Sequence, residues 1–253
     1  MHDTALSNCR DFFNCYSKAV ATDAVTHVVE IGSQDVNGSL RQVCPPVFRY
    51  TGLDFVAAPG VDVVLTDPYL LPFETSSVDI VLSSSCLEHS EMFWLSFLEA
   101  LRILKPSGLL YLNVPSNGQF HRYPVDCWRF YPDSGVALVT WAKRNGIQAA
   151  LLESFTSPQV ANVWNDCISV FLRDERLIDR YRSRILDKRQ DYTNGLVHGS
   201  SEFSNFSVFP EDKRKLEIIS RIISNEIKVG GSLLKSKKKL EAISKILSNE
   251  TKV

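Results

Sequence analysis

What most constrains this chain is a series of short, mostly apolar runs separated by amphipathic or turn-rich stretches between residues 26 and 172. Five runs come in order: "THVVEIG" (26–32), "FRYTGLDF" (48–55), "VDVVL" (61–65), "VDIVLSSS" (78–85) and "LLYLNVP" (109–115). Runs with apolar residues side by side, rather than at every second position, predict strands buried on both faces, and so a mostly parallel sheet covered by helices. Ala5 to Val20 reads as an amphipathic lead-in helix, and "GSLRQVC" as a short helix stopped by Pro45 and Pro46. "EMFWLSFLEALRILK" carries Phe93, Phe97, Leu98, Leu101 and Leu104 on one helical face, broken by Lys105-Pro106-Ser107-Gly108. A helix around "DSGVALVTWAKRN" and two further strands, "GIQAALLES" and "DCISVFL", complete a seven-stranded α/β arrangement.

Composition narrows the functional classes. With 253 residues and 44% hydrophobic content the chain can bury one medium-sized core and carry an appendage. A formal charge of −1 gives no global field for nucleic acid or an anionic membrane. Cys9, Cys15, Cys44, Cys86, Cys127 and Cys167 contain no CxxC pair, which suits reduced thiols in a cytoplasmic protein. The first twenty residues lack an uninterrupted apolar core, and no run reaches the roughly 20 apolar residues of a membrane span. The expected organisation is an N-terminal helix (1–22), a ligand-binding α/β domain (23–173) and a helical C-terminal extension (174–253). In that extension "RDERLIDRYRSRILDKRQ" reads as a charged helix and "DYTNGLVHGSSEFSNFSVFP" as a loop. "KLEIISRIISNEIKV" (Lys215 to Val229) then recurs as "KLEAISKILSNETKV" (Lys239 to Val253). The repeat fits helices that contact a second copy or another partner, and fits a solvated end as well; the sequence leaves both open.

The stretch "VVEIGSQDVNGSL" bears most directly on the ligand. Ligands of a doubly wound sheet bind beyond the C-terminal ends of its strands. A dinucleotide there requires clustered glycines and a helix N-terminus for its pyrophosphate. Here only Gly32 and Gly38 are present, five residues separate them, and Asp35 would repel phosphate. Glu30, at the strand end, suits a ligand with a cationic centre.

From these residues onward, roughly Val25 to Leu172, the sequence resembles the class I S-adenosylmethionine-dependent methyltransferases of the type 11 kind, and the resemblance implies a Rossmann-like, doubly wound sheet. It places Glu30, Gly32, Ser33, Asp35 and Gly38 at the methionyl part of the cofactor. Asp54, beside Phe55, stands where the family holds the ribose hydroxyls, and Asp67, beside Pro68, near the adenine amino group. Ser84 and Ser85 begin the segment that closes over the cofactor, and "ALRILKPSGLLYLNVP" resembles the helix, turn and fifth strand that complete the half. The implied cofactor is S-adenosyl-L-methionine.

Methyl transfer to an alcohol benefits from a general base on the acceptor side. His89, in "CLEHS", follows strand four, and "NGQFHRYPVDCWRFYPDSG" follows strand five. The second segment is long for a connection, and it is dense in aromatic and charged groups. His89, His121 and Asp126 are the catalytic candidates; Arg122, Tyr123, Trp128, Arg129 and Tyr131 are the substrate-binding ones. Each also has a structural alternative, with an arginine paired to Asp126 and the aromatics plugging the core. Glu88 with His89, or His121 with Asp126, could hold a divalent metal, but the spacing specifies none and none is assigned. Aromatic faces beside hydrogen-bonding groups suit a sugar, and "RYPVDCWRFYPD" resembles loops of methyltransferases of surface-polysaccharide biosynthesis. The expectation is therefore O-methylation of a glycan or another small-molecule substrate. The alternatives are a small metabolite, lipid or protein nitrogen as acceptor, or a non-catalytic scaffold.

Overall fold

The computed structural model describes residues 3–22, 24–159 and 165–208, together with Ile219, Arg221, Lys238, Glu241 and Ile243. Eight strands form one sheet: β1 (His27–Ile31), β2 (Arg49–Asp54), β3 (Val63–Val64), β4 (Val78–Ser84), β5 (Leu104–Pro115), β6 (Ala150–Thr156), β7 (Asp166–Leu172) and β8 (Thr193–Val197). Their order is β3-β2-β1-β4-β5-β7-β6-β8. The first five are parallel neighbours, whereas β7, β6 and β8 continue the sheet antiparallel.

The apolar runs explain the two-sided covering. Along β1 and β4 successive residues enter opposite cores. Val29 and Val81 face α2 (Phe93–Ile103) and α3 (Asp133–Arg144), packing with Phe97, Leu101 and Leu138. Val28 and Ile80 face α1 (Asp3–Val20), packing with Phe12, Phe13 and Tyr16. Phe12 is fully buried, and its truncation to alanine would cost about 3–5 kcal/mol. The lead-in helix is thus one wall of the core. α3 carries Asp133 in its first turn and Lys143 and Arg144 in its last, matching the helix dipole.

Three expectations need correction. The sheet has eight strands, because "TNGLV" within the expected loop pairs with β6 and carries the sheet beyond residue 173. Its Leu196 and Gly195 are buried, and a five-residue edge strand leaves little periodicity to detect. The "charged helix" is two short 3-10 turns, Glu175–Arg180 and Ile185–Asp187. Two of its arginines are tied to backbone carbonyls of the core elements: Arg180 bonds Ala19 O at 2.6 Å, and Arg184 bonds Leu152 O at 3.0 Å. The helix expected through Leu104 ends at Ile103, since β5 starts there by pairing Leu104 with Val78. The repeated segments lie outside the described residues apart from Ile219, Arg221, Glu241 and Ile243, which, like Lys238 just before the second repeat, are helical.

Candidate functional site

The C-terminal ends of β1, β2, β4 and β5 converge on one edge of the sheet, and every sequence-assigned site residue lies on that edge or on the loops leaving it. Glu30 is buried next to the end of β1. Tyr50, on the neighbouring strand, donates its hydroxyl to Glu30 Oε2 at 2.5 Å, while Oε1 is buried with no hydrogen-bond partner among the described groups. Burial pushes the carboxyl up to about 7, against the hydrogen bond from Tyr50.

Gly32 turns the chain out of β1 at φ +80°, where a Cβ would stand 2.6 Å from Cβ and Sγ of Cys86. Only glycine fits that contact between the first loop and the loop after β4. The loop then leans on the far wall rather than starting a long helix. Asp35 N donates to Pro59 O at 2.8 Å, and Asp35 Oδ1 accepts Gly38 N at 2.8 Å. Glycines expected inside the loop are replaced by glycines opposite it: a Cβ on Gly52 would meet Ser33 Oγ at 2.5 Å, and one on Gly60 would meet Ser33 O at 2.5 Å. Only a four-residue 3-10 helix follows, Leu40–Val43, capped by Ser39. No helix N-terminus is therefore offered to a phosphate here.

Asp54 ends β2, and its Oδ1 accepts Val56 N at 3.1 Å; Phe55 beside it is exposed. Asp67 is exposed, its Oδ1 accepting Tyr69 N at 2.8 Å in a turn that carries Pro68. Asp62 was not foreseen. It accepts Gly52 N at 2.7 Å and pairs with Arg41, and these contacts hold its carboxyl below the usual range against a desolvation penalty. Ser84 accepts Asn113 Nδ2 at 3.3 Å, and Ser85 sits at φ +49° with its N–H on Asn113 O at 2.9 Å, bending the chain away from β4.

The bend delivers Glu88 and His89 to the acceptor side. Glu88 is buried, its carboxyl pushed up to about 8 by burial, and its Oε2 has no partner among the described groups. Its backbone carbonyl accepts Cys127 N at 2.7 Å, which ties it to the loop after β5. His89 donates Nδ1–H to Val125 O at 2.5 Å, so the lone pair is on Nε2, 3.8 Å from Glu88 Oε1. Burial first, then the neighbouring His121, outweigh the bond to Val125 and lower the imidazole's pKa, keeping it neutral at pH 7. The His89 and His121 rings meet edge to face at 4.8 Å.

The loop from Ser116 to Pro132 roofs this cluster. Asp126 is its organiser: it accepts His121 N at 2.7 Å and both Arg129 amines at 2.6 and 2.9 Å. That bidentate pair holds the carboxyl at about 2, which makes Asp126 a poor proton acceptor at neutral pH. Arg129 reaches on to Gln119 O at 2.9 Å. Trp128 bonds Ser90 O at 2.8 Å and packs on Phe93 at 5.3 Å, closing the apolar side. Tyr123 bonds Gln34 Oε1 at 2.7 Å, bridging the roof to the glycine loop. Arg122 and Tyr131 are exposed. Beside the roof, Phe93, Trp94, Trp128, Leu138 and Trp141 line an open groove of about 460 Å³. A larger hollow of about 760 Å³ lies at the opposite, N-terminal ends of the strands, among His27, Arg49 and Phe73, where a parallel sheet offers no converging strand ends.

With this geometry established, residues 16–112 match a family described as "Methyltransferase domain". A phthiotriol/phenolphthiotriol dimycocerosates methyltransferase of Mycobacterium ulcerans is 34% identical over 46% of this chain and 49% of its own length. An uncharacterized methyltransferase of Mycolicibacterium paratuberculosis is 37% identical over 39% of this chain and 34% of its own. The chain thus spans at most about half the length of these relatives. A solved 1,6-didemethyltoxoflavin-N1-methyltransferase of Burkholderia thailandensis, with S-adenosylhomocysteine bound, shares the fold at TM-score 0.53 and 13% identity, over 68% of this chain and 80% of its own. Residues 16–112 thus match a methyltransferase-domain family, and the chain shares the Rossmann-like fold of a methyltransferase solved with S-adenosylhomocysteine. The site residues fit such a group: an orphaned buried carboxylate oxygen, a glycine turn that a Cβ would block, and no cradle for phosphate.

Proposed function

We propose that the chain is an S-adenosylmethionine-dependent methyltransferase acting on a hydroxyl of a sugar or glycan intermediate. The observation carrying the acceptor is the roof over Glu88 and His89: aromatic faces and fixed polar groups above a neutral imidazole whose proton is committed to Val125. Sugars offer apolar ring faces for stacking and hydroxyls for such donors and acceptors. When bound, the cofactor supplies a methyl group activated by a sulfonium. Glu30, Asp54 and the Ser33–Gly38 loop hold it, and Asp67 lies on the adenine side. The roof excludes water and fixes the acceptor oxygen about 3 Å from its target. His89 and His121 deal with the acceptor's proton, for which general base catalysis is worth about 10²–10⁴-fold. The C-terminal repeat is proposed as a contact for a partner or second copy.

The groove of Phe93, Trp94, Trp128, Leu138 and Trp141 favours a second reading, a lipid-like alcohol whose apolar part lies there. One experiment addresses both. The protein is titrated calorimetrically with S-adenosylmethionine and S-adenosylhomocysteine, with NAD as control, and then assayed with labelled cofactor against sugar nucleotides, oligosaccharides and long-chain alcohols. Micromolar binding without NAD binding, and transfer to sugars, is the expected result. Transfer to the alcohols alone moves the acceptor to the second reading, and cofactor binding without transfer favours a scaffold.

A further inference from the structure

Glu88, His89 and His121 come together for no evident structural reason. Glu88 and His89 lie on the bend after β4 and His121 on the roof, more than thirty residues later, yet one ligand atom from each falls within 4.8 Å of the others. A buried carboxylate normally sits against a cation or several donors. Here the only ion-pair partner described for Glu88 is His89 at 3.8 Å, and Oε2 has no hydrogen-bond partner among the described groups.

Both imidazoles carry the outer contacts that orient metal-ligating histidines. His89 Nδ1–H is donated to the Val125 carbonyl. His121 Nδ1 lies 3.1 Å from Gln119 O and 3.4 Å from Asp126 Oδ2, a carboxylate–histidine pair. Such partners fix the tautomer and put the lone pair on Nε2. We propose that Glu88, His89 and His121 form a binding site for a divalent first-row transition ion on the acceptor side of the cleft.

Two imidazoles and one carboxylate favour ions such as Mn²⁺, Co²⁺ and Zn²⁺ over Mg²⁺ or Ca²⁺, which prefer all-oxygen sets. Ligands about 2.1 Å from one ion stand about 3.4 Å apart in a tetrahedron, so the cluster tightens by about 1 Å on loading. His121 is the ligand able to move, on a roof tied across the cleft through Tyr123 to Gln34. Three protein ligands leave positions open for a substrate oxygen. The ion's role rests on the methyltransferase reading; its binding does not. In that role it lowers the pKa of the acceptor hydroxyl and takes the place of base catalysis by the two imidazoles, whose Nε2 lone pairs are then on the ion. The hydroxyl proton leaves to water, the oxygen lone pair forms the new O–C bond, and the C–S bond breaks with its electron pair left on sulfur.

The test uses the full chain, stripped with chelator and titrated calorimetrically with Zn²⁺, Mn²⁺ and Mg²⁺. Zn²⁺ and Mn²⁺ are expected to bind at one per chain and Mg²⁺ at least tenfold more weakly. E88Q and H121A should each weaken Zn²⁺ binding tenfold or more, H121D should restore part of it, and C127S, at the exposed neighbouring thiol, should leave it unchanged. H121A replaces a loop residue, so a folding failure of E88Q does not remove the test. No uptake by the parent chain, or uptake unaffected by H121A, overturns the site. S-adenosylhomocysteine titrated into the same samples separates the two readings: cofactor binding without Zn²⁺ uptake overturns the ion alone, whereas Zn²⁺ uptake without cofactor binding supports the ion and overturns the methyltransferase reading.

Discussion

Replacing Glu30 by glutamine isolates one buried charge. The folded-state pKa is raised from an ordinary value of 4.5 to about 7, mainly by burial. At about 1.4 kcal/mol per tenfold change in proton affinity, the ionised form costs about 3 kcal/mol of stability. The sign follows from linkage. Below pH 4.5 the group is protonated folded and unfolded, and nothing is lost. As pH rises toward 7 the unfolded chain releases its proton first, so stability falls until the folded group ionises too. Relative to E30Q, which cannot titrate, the parent should lose about 2–3 kcal/mol between pH 5 and pH 8 in urea unfolding. A constant cost of burying the amide shifts that difference curve without tilting it, and Glu88, Glu153 and Asp166 titrate alike in both proteins. A flat difference would refute the burial argument. If Glu30 also faces the cofactor's ammonium, binding at pH 6.5 should expel part of a proton, seen as a binding heat that varies with the buffer's ionisation enthalpy. Buffer-independent heat in the parent would remove Glu30 from the cofactor site.

Gly32→Ala should destabilise the fold by about 2–5 kcal/mol, from a left-handed residue and a Cβ driven into Cys86; an unchanged urea midpoint would contradict that contact. Asp54→Ala should weaken S-adenosylhomocysteine binding by about 1.5–3 kcal/mol, the scale of a charged hydrogen bond, and calorimetry showing equal affinity would move the ribose site elsewhere. Arg129→Met should cost about 2–3 kcal/mol and raise the acceptor's KM more than the cofactor's, because Asp126 loses the partner that shapes the roof. The Asp126 carboxyl is depressed to about 2, so its contribution is present above about pH 4 and disappears as pH falls toward 2. Acid unfolding of R129M should show less of that loss, and identical acid profiles would dispute the pair's role.

The strand end at Glu30, the turn at Gly32 and the acid at Asp54 were legible because backbone geometry and local apolar pattern dictate them. The edge where ligands of such a sheet bind follows from strand direction alone, so the sequence could place the candidate site without its contacts. Tyr50 against Glu30 could have been anticipated, since parallel pairing sets residue 30 beside 52 and leaves Tyr50 two residues back on the same face. What stayed hidden depends on long-range packing. Gly52 and Gly60, which make room for Ser33, look like an ordinary strand residue and an ordinary turn residue until the loop is laid on them. Asp126 has the same sequence signature as a base or as an arginine's partner, and only the structure shows the bidentate pair with Arg129. β8 escaped because an edge strand buries few side chains and borrows its register from β6.

The two halves of the candidate site differ in how they are held, which explains why the proposed cofactor half is more readable in the sequence than the proposed acceptor half. Glu30, Gly32, Asp54 and Ser84 sit in or next to parallel strands packed on both faces, so a change in any of them is felt by the core. The proposed acceptor half is a seventeen-residue loop whose shape comes from polar contacts: Asp126 with Arg129 within it, and Val125 with His89 and Tyr123 with Gln34 at its borders. The Tyr123–Gln34 bridge is exposed, and exposed hydrogen bonds are worth about 1 kcal/mol. In the proposed function so weak a tie lets the roof part from the glycine loop for a bulky acceptor, while the bonds of Cys127 to Glu88 and Trp128 to Ser90 hold its other side. Such a loop can also be rewritten for another acceptor at little cost to the fold, so in the proposed function its residue types, rather than the sheet beneath, would set the substrate.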